Sequence, residues 1–119
     1  MEPATLAVNV TQDVTAVVYG TQVFRLRFPI RIHAHRDGNL FIHEYEPLGI
    51  SAYGFTQAES LQAFAEEFSS CWHWIGLEED RRLGPDAREL KRKLLRLVET
   101  VQPVHEFLPH QADQRRAVR

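Results

Sequence analysis

Between Val23 and His35 the chain alternates strictly. Phe24, Leu26, Phe28, Ile30, Ile32 and Ala34 stand between Arg25, Arg27, Pro29, Arg31, His33 and His35. A two-residue period predicts a strand with one apolar and one basic face. Pro29 has no N–H to donate to a ladder, so an edge position or a break is expected there. Asp37-Gly38-Asn39 reads as a turn and Leu40 to Tyr45 as the returning strand. A two-residue loop at Asp37-Gly38 would set His35 beside Leu40 and His33 beside Ile42, mixing polar and apolar on both faces. A three-residue loop pairs Ala34 with Ile42 and Ile32 with Glu44. It gathers His33, His35, Phe41, His43 and Tyr45 on the opposite face, with Asn39 left-handed. One buried face selects the three-residue loop.

Upstream, the β-branched pieces Leu6 to Val10 and Val14 to Tyr19 are separated by Gln12-Asp13 and predict strand, arranged as a first hairpin. Downstream, Pro47-Leu48-Gly49 breaks the sheet and Ile50 to Tyr53 is a short strand. Thr56-Gln57-Ala58-Glu59 has the form of a capping box. The helix it opens carries Leu61, Phe64, Ala65, Phe68, Cys71, Trp72 and Ile75 as one stripe, and Gly76 can end it. After a charged linker, Pro85 suits a first helical position. Ala87, Leu90, Leu94, Leu97, Val98 and Val101 then predict a second amphipathic helix stopped before Pro103.

The expected architecture is α+β, an antiparallel sheet of three or more strands with two amphipathic helices. It divides into an N-terminal strand extension (1–22), an α+β domain (23–102) and a flexible C-terminal tail (103–119). The core is expected to hold Phe24, Leu26, Phe28, Ile30, Ile32, Ile42, Leu61, Phe64, Phe68, Trp72, Leu90 and Leu94. The 119 residues suit one domain, and 44% hydrophobic with 25% charged residues are ordinary for a folded one.

A net charge of −2 gives no general pull toward nucleic acid or an anionic membrane. No apolar run reaches membrane-span length, and the first residues lack a signal peptide's basic start and apolar core, so the chain reads as cytoplasmic. The single cysteine, Cys71, excludes an internal disulfide. Its place on the helix stripe reads as a small buried hydrophobe rather than a nucleophile.

Three histidines, His33, His35 and His43, resemble a metal triad, but no supporting carboxylate stands at ligand spacing, so neither metal nor cofactor is expected. No carboxylate is embedded in an apolar run that would raise its pKa, no phosphate loop is present, and no catalytic residue is assigned. Arg25, Arg27 and Arg31 on the strand, with Lys91, Arg92 and Lys93 on the second helix, compose a candidate nucleic-acid surface. Few aromatics interleave them for base stacking. The alternative partner surface is the polar sheet face, Arg31, His33, His35, Phe41, His43 and Tyr45, with Trp74, which points off the apolar stripe.

From the hairpin through the first helix the chain resembles the HicB-type antitoxins. The residues that carry the likeness are Asp37-Gly38, the strand Leu40 to Tyr45, Leu48-Gly49-Ile50 and the run Gly54-Phe55-Thr56-Gln57-Ala58-Glu59-Ser60-Leu61. It covers about residues 24–75 and implies a truncated ribonuclease-H-like fold. It further implies a non-catalytic protein that binds and blocks a small ribonuclease toxin, and the chain is accordingly expected to be a homodimeric protein-binding module with a small basic protein partner. Family members commonly carry a C-terminal DNA-binding motif, whereas Pro85 to Val101 reads as one plain helix. The alternative function is a nucleic-acid-binding or regulatory protein using the arginine-rich strand face.

Overall fold

The structure, a computed structural model, describes residues 10–107. It is α+β: a five-stranded antiparallel sheet with its two long helices on one face. The strands are β1 (Val10–Tyr19), β2 (Gln22–Asp37), β3 (Leu40–Tyr45), β4 (Ile50–Gly54) and β5 (Val98–Pro103). The helices are α1 (Gln57–Cys71), continued by a π turn over Trp72–Gly76, α2 (Pro85–Leu97) and the single turn α3 (Val104–Phe107). The order is β1-β2-β3-β4, and β5 pairs with the beginning of β2.

β2 organises the sheet. Gln22 to Leu26 pairs with β5 and His33 to Asp37 with β3, while β1 pairs along the other edge. Pro29 lies where β5 has left and β3 has not yet joined, so its missing N–H costs no ladder bond on that side. On the β1 side the register slips there: Val14 pairs with Ile30 and Ala16 with Arg25, leaving Leu26 to Pro29 bulged opposite Thr15. The break expected at Pro29 is present. Its consequence falls on Phe28, expected in the core. Phe28 is 46% exposed at the rim of a hollow it shares with Tyr45, Leu48 and Leu97, while Leu26 and Ile30 on either side stay buried.

The core joins Phe24, Leu26, Ile30 and Ile32 of β2 to Phe64 and Phe68 of α1 and Leu94 and Leu97 of α2. Phe24 meets Phe68 edge-on at 5.3 Å between ring centres, and Trp72 at 6.2 Å. Burying each such side chain contributes about 1.5–3 kcal/mol.

The capping box forms with a shifted reach. Thr56 Oγ1 accepts from the Glu59 amide at 3.0 Å, and Glu59 Oε1 accepts from the Phe55 amide at 2.9 Å. The β4–α1 junction is tight: a Cβ on Gly54 would stand 2.6 Å from the Glu59 Cβ and 2.8 Å from the Ser60 amide nitrogen. Pinned there, α1 turns Ser60 inward and leaves Leu61, expected in the core, 41% exposed.

Three further expectations are corrected. β1 is one strand running through Gln12 and Asp13 rather than two pieces of a hairpin; Leu6 to Asn9 lie outside the described residues. The second helix ends at Leu97, and Val98 and Val101 belong to β5, because the β-branched run Val98 to Val101 finds a strand partner in β2. The β2–β3 hairpin closes at Asp37 opposite Leu40 around the two-residue loop Gly38-Asn39. Gly38 has φ 62° and no non-glycine residue has positive φ among the described residues, the pattern of a type II′ turn. Ala34 therefore faces His43 and not Ile42. Of the expected tail, Val104–Phe107 is helical and the rest lies outside the described residues.

Candidate functional site: the open face of the sheet

The one-residue change of register decides which side chains share a face. Ala34 stands opposite His43 and His43 opposite Ala52, so Phe41, His43 and Tyr45 point toward the helices. His43 is 4% exposed, and its Nδ1 lies 2.6 Å from Ser60 Oγ, which in turn donates to the Ala52 carbonyl at 3.3 Å. Burial pushes the His43 pKa down, since a charged ring would lose its water there. Burial likewise raises the Tyr45 hydroxyl, and it raises the Cys71 thiol with help from the Glu67 carboxylate. The half-buried Cys71 is thereby held as the thiol, the less nucleophilic form.

On the side away from α1 and α2 the pairs are His33 with Glu44 and Glu44 with Ser51, then His35 with Ile42 and Ile42 with Tyr53. β1 adds Thr11 beside His33 and Asp13 beside Arg31. Here polar groups bond across strands. Arg31 Nε donates to Asp13 Oδ1 at 3.1 Å, His35 Nε2 lies 3.2 Å from Glu44 Oε1, and Ser51 Oγ donates to Glu44 Oε2 at 3.3 Å. The His33 and His35 rings stand 5.2 Å apart. Tyr53 is 63% exposed beside them. A shallow hollow of about 730 Å³ opens between Arg31, His33, Glu44, Glu46 and Ser51. No group of three or more His, Cys, Asp or Glu side chains placed to hold a metal occurs among the described residues.

Of the expected partner face, then, Arg31, His33 and His35 lie together, while Phe41, His43 and Tyr45 lie on the other side of the sheet. Trp74 is 77% exposed but far away. His73 Nε2, 2.9 Å from Gln22 Oε1, ties the π turn to the start of β2. Arg31 is nine residues further on, on the order of 30 Å along a strand. Sequence reasoning misses Asp13, Glu44, Ser51 and Tyr53; for Glu44 the cause is a hairpin register set one residue out. The signal was present: Gly38-Asn39 is itself a two-residue hairpin turn.

The candidate nucleic-acid residues are dispersed and largely engaged. Lys91 Nζ bonds Asp80 Oδ1 at 2.8 Å, Arg92 Nη2 bonds Glu89 Oε1 at 2.7 Å, and Lys93 Nζ donates to the Pro47 carbonyl at 3.2 Å. These cations hold the Asp80 and Glu89 carboxyls below their ordinary pKa, by hydrogen bond first and charge second. Arg25 borders the bulge on β2 and Arg27 lies within it.

No described helix is long and apolar enough to cross a membrane. Scans of the chain against protein-family models, curated proteins and solved structures each return no match.

Proposed function

We propose that this chain is a non-catalytic protein-binding domain of the HicB antitoxin kind, whose open sheet face holds a small basic ribonuclease. The carrying observation is the cross-strand network on that face, Arg31–Asp13 and His35–Glu44–Ser51, set beside an exposed Tyr53. Carboxylates and histidines braced across strands cost little further ordering on binding. The aromatic beside them can anchor a contact. Glu44 and Glu46 at the hollow supply the acceptors that a basic partner needs.

The nucleic-acid reading draws less support. Arg31, Lys91 and Arg92 are each committed to a carboxylate, so they would bring little uncompensated charge to a phosphate backbone.

The test is to co-express the tagged chain with the reading frame beside its gene. The expected result is co-purification of a small basic ribonuclease whose RNA cleavage is blocked. Glu44→Lys and Tyr53→Ala each weaken the complex at least about tenfold, while stability stays within about 0.5 kcal/mol of the parent. A gene without such a neighbour, or a partner indifferent to both substitutions, defeats the proposal.

A further inference from the structure

The longest free edge of the sheet belongs to β1. β2 pairs with it on one side, and no described strand meets it on the other. Open edges are ordinarily blunted by lysine, proline or inward charges. Val10–Tyr19 contains neither lysine nor proline, and its one charge, Asp13, is bonded to Arg31. The slip at Thr15 leaves Val10 to Val14 as an uninterrupted run. Within it Gln12 and Val14 stand opposite Ile32 and Ile30 and so face the helix side, as does Val10. Thr11 and Asp13 stand opposite His33 and Arg31 and face the open side. A hollow of about 410 Å³ lies between β1 and α1, lined by Gln12, Val14, Val17, Ala58, Leu61 and Phe64.

We infer that this edge is a homodimer seam, with Val10 to Val14 pairing antiparallel to the same run of a second copy about a two-fold axis through Gln12. In that register Val10 meets Val14 of the second copy, Thr11 meets its Asp13, and Gln12 meets its Gln12. The run is complementary to itself, as a two-fold interface requires. Apolar lies on apolar and amide on amide, and each Thr11 hydroxyl donates to a carboxylate that can accept from it and from Arg31 together. The two Asp13 charges face hydroxyls rather than each other. A strand rich in either charge would find no such match on this edge. Pairing joins two five-stranded sheets into one and brings the half-exposed Leu61 of each α1 toward the axis. It also merges the two open faces. The seam does not rest on the ribonuclease-binding reading.

Sedimentation equilibrium of the full chain tests it. The parent chain sediments as a dimer. Gln12→Lys and Gln12→Glu each put like charges at the axis and weaken self-association at least about tenfold, and an equimolar mixture of the two restores it. Gln12 is exposed, so folding is retained, as circular dichroism verifies. Glu44→Lys leaves the dimer intact, which separates this seam from the partner face. A monomeric parent chain, or a dimer indifferent to both Gln12 substitutions, overturns the inference. So does a parent chain that dimerises only after removal of residues 1–9, since those residues would then be the edge's occupant.

Discussion

The two halves of β2 share one alternating pattern and meet different fates. From Ile30 onward the strand has one face against α1 and one face open, and burial follows the alternation: Ile30, Ile32 and Ala34 are buried, Arg31 and His33 exposed. In the first half Phe24 and Leu26 are buried and Arg25 and Arg27 exposed, but Val23, on the other face, is buried as fully as Phe24 where the strand lies between β1 and β5. Alternation reports burial only where one face is left to solvent. Only the start of the strand, at Val23 and Phe24, is covered on both faces; from Arg25 on, one face is open.

The largest expected effect probes the interior half. Phe24→Ala removes a ring packed on Phe68 and Trp72 at zero exposure and should cost about 3–5 kcal/mol in denaturant unfolding. If it costs no more than an exposed substitution such as Tyr53→Ala, the contrast between halves is broken. Next comes the β4–α1 junction, which sets the inward face of α1 below the second half. Gly54→Ala would drive a methyl against the backbone of Glu59 and Ser60, which cannot swing aside, and a loss of about 1–3 kcal/mol is expected. A neutral result would mean that α1 can slide and that Ser60 is not held inward by this contact.

The smallest effect is a pH dependence in the second half. His43 has a folded pKa below its ordinary 6.5 through burial, so on acidification the unfolded chain takes up its proton first. The contribution is fully present above pH 6.5 and is lost as pH falls from there toward the folded pKa. Thermal unfolding between pH 7.5 and 5 should show a steeper decline in the parent chain than in His43→Gln. Parallel curves would show that His43 titrates in the fold as it does in the open chain.

Local chemistry made much of this legible. The alternation of β2, the break at Pro29, the cap at Thr56 and the apolar spacing of Phe64 and Phe68 each act within a few residues. So the α+β class and most of the core could be read from the chain. The candidate site was half legible: Arg31, His33 and His35 were placed together, and their partners Asp13, Glu44, Ser51 and Tyr53 were not. Burial preference argued for Ile42 inside and His43 outside. The reverse holds because Ser60, seventeen residues on, gives the ring a hydrogen-bonding partner in the interior.

The chain alone therefore determined most of which segments extend and which coil, since propensity, capping and proline geometry are properties of neighbouring residues. Only the tertiary structure decided that Val98 to Val101 leaves a helix for a place beside β2. It also decided that Phe28 is left half exposed and that a histidine rather than an isoleucine is buried. Those outcomes depend on partners distant in sequence, and a strand pairing or an interior hydrogen bond has no signature until both halves are brought together.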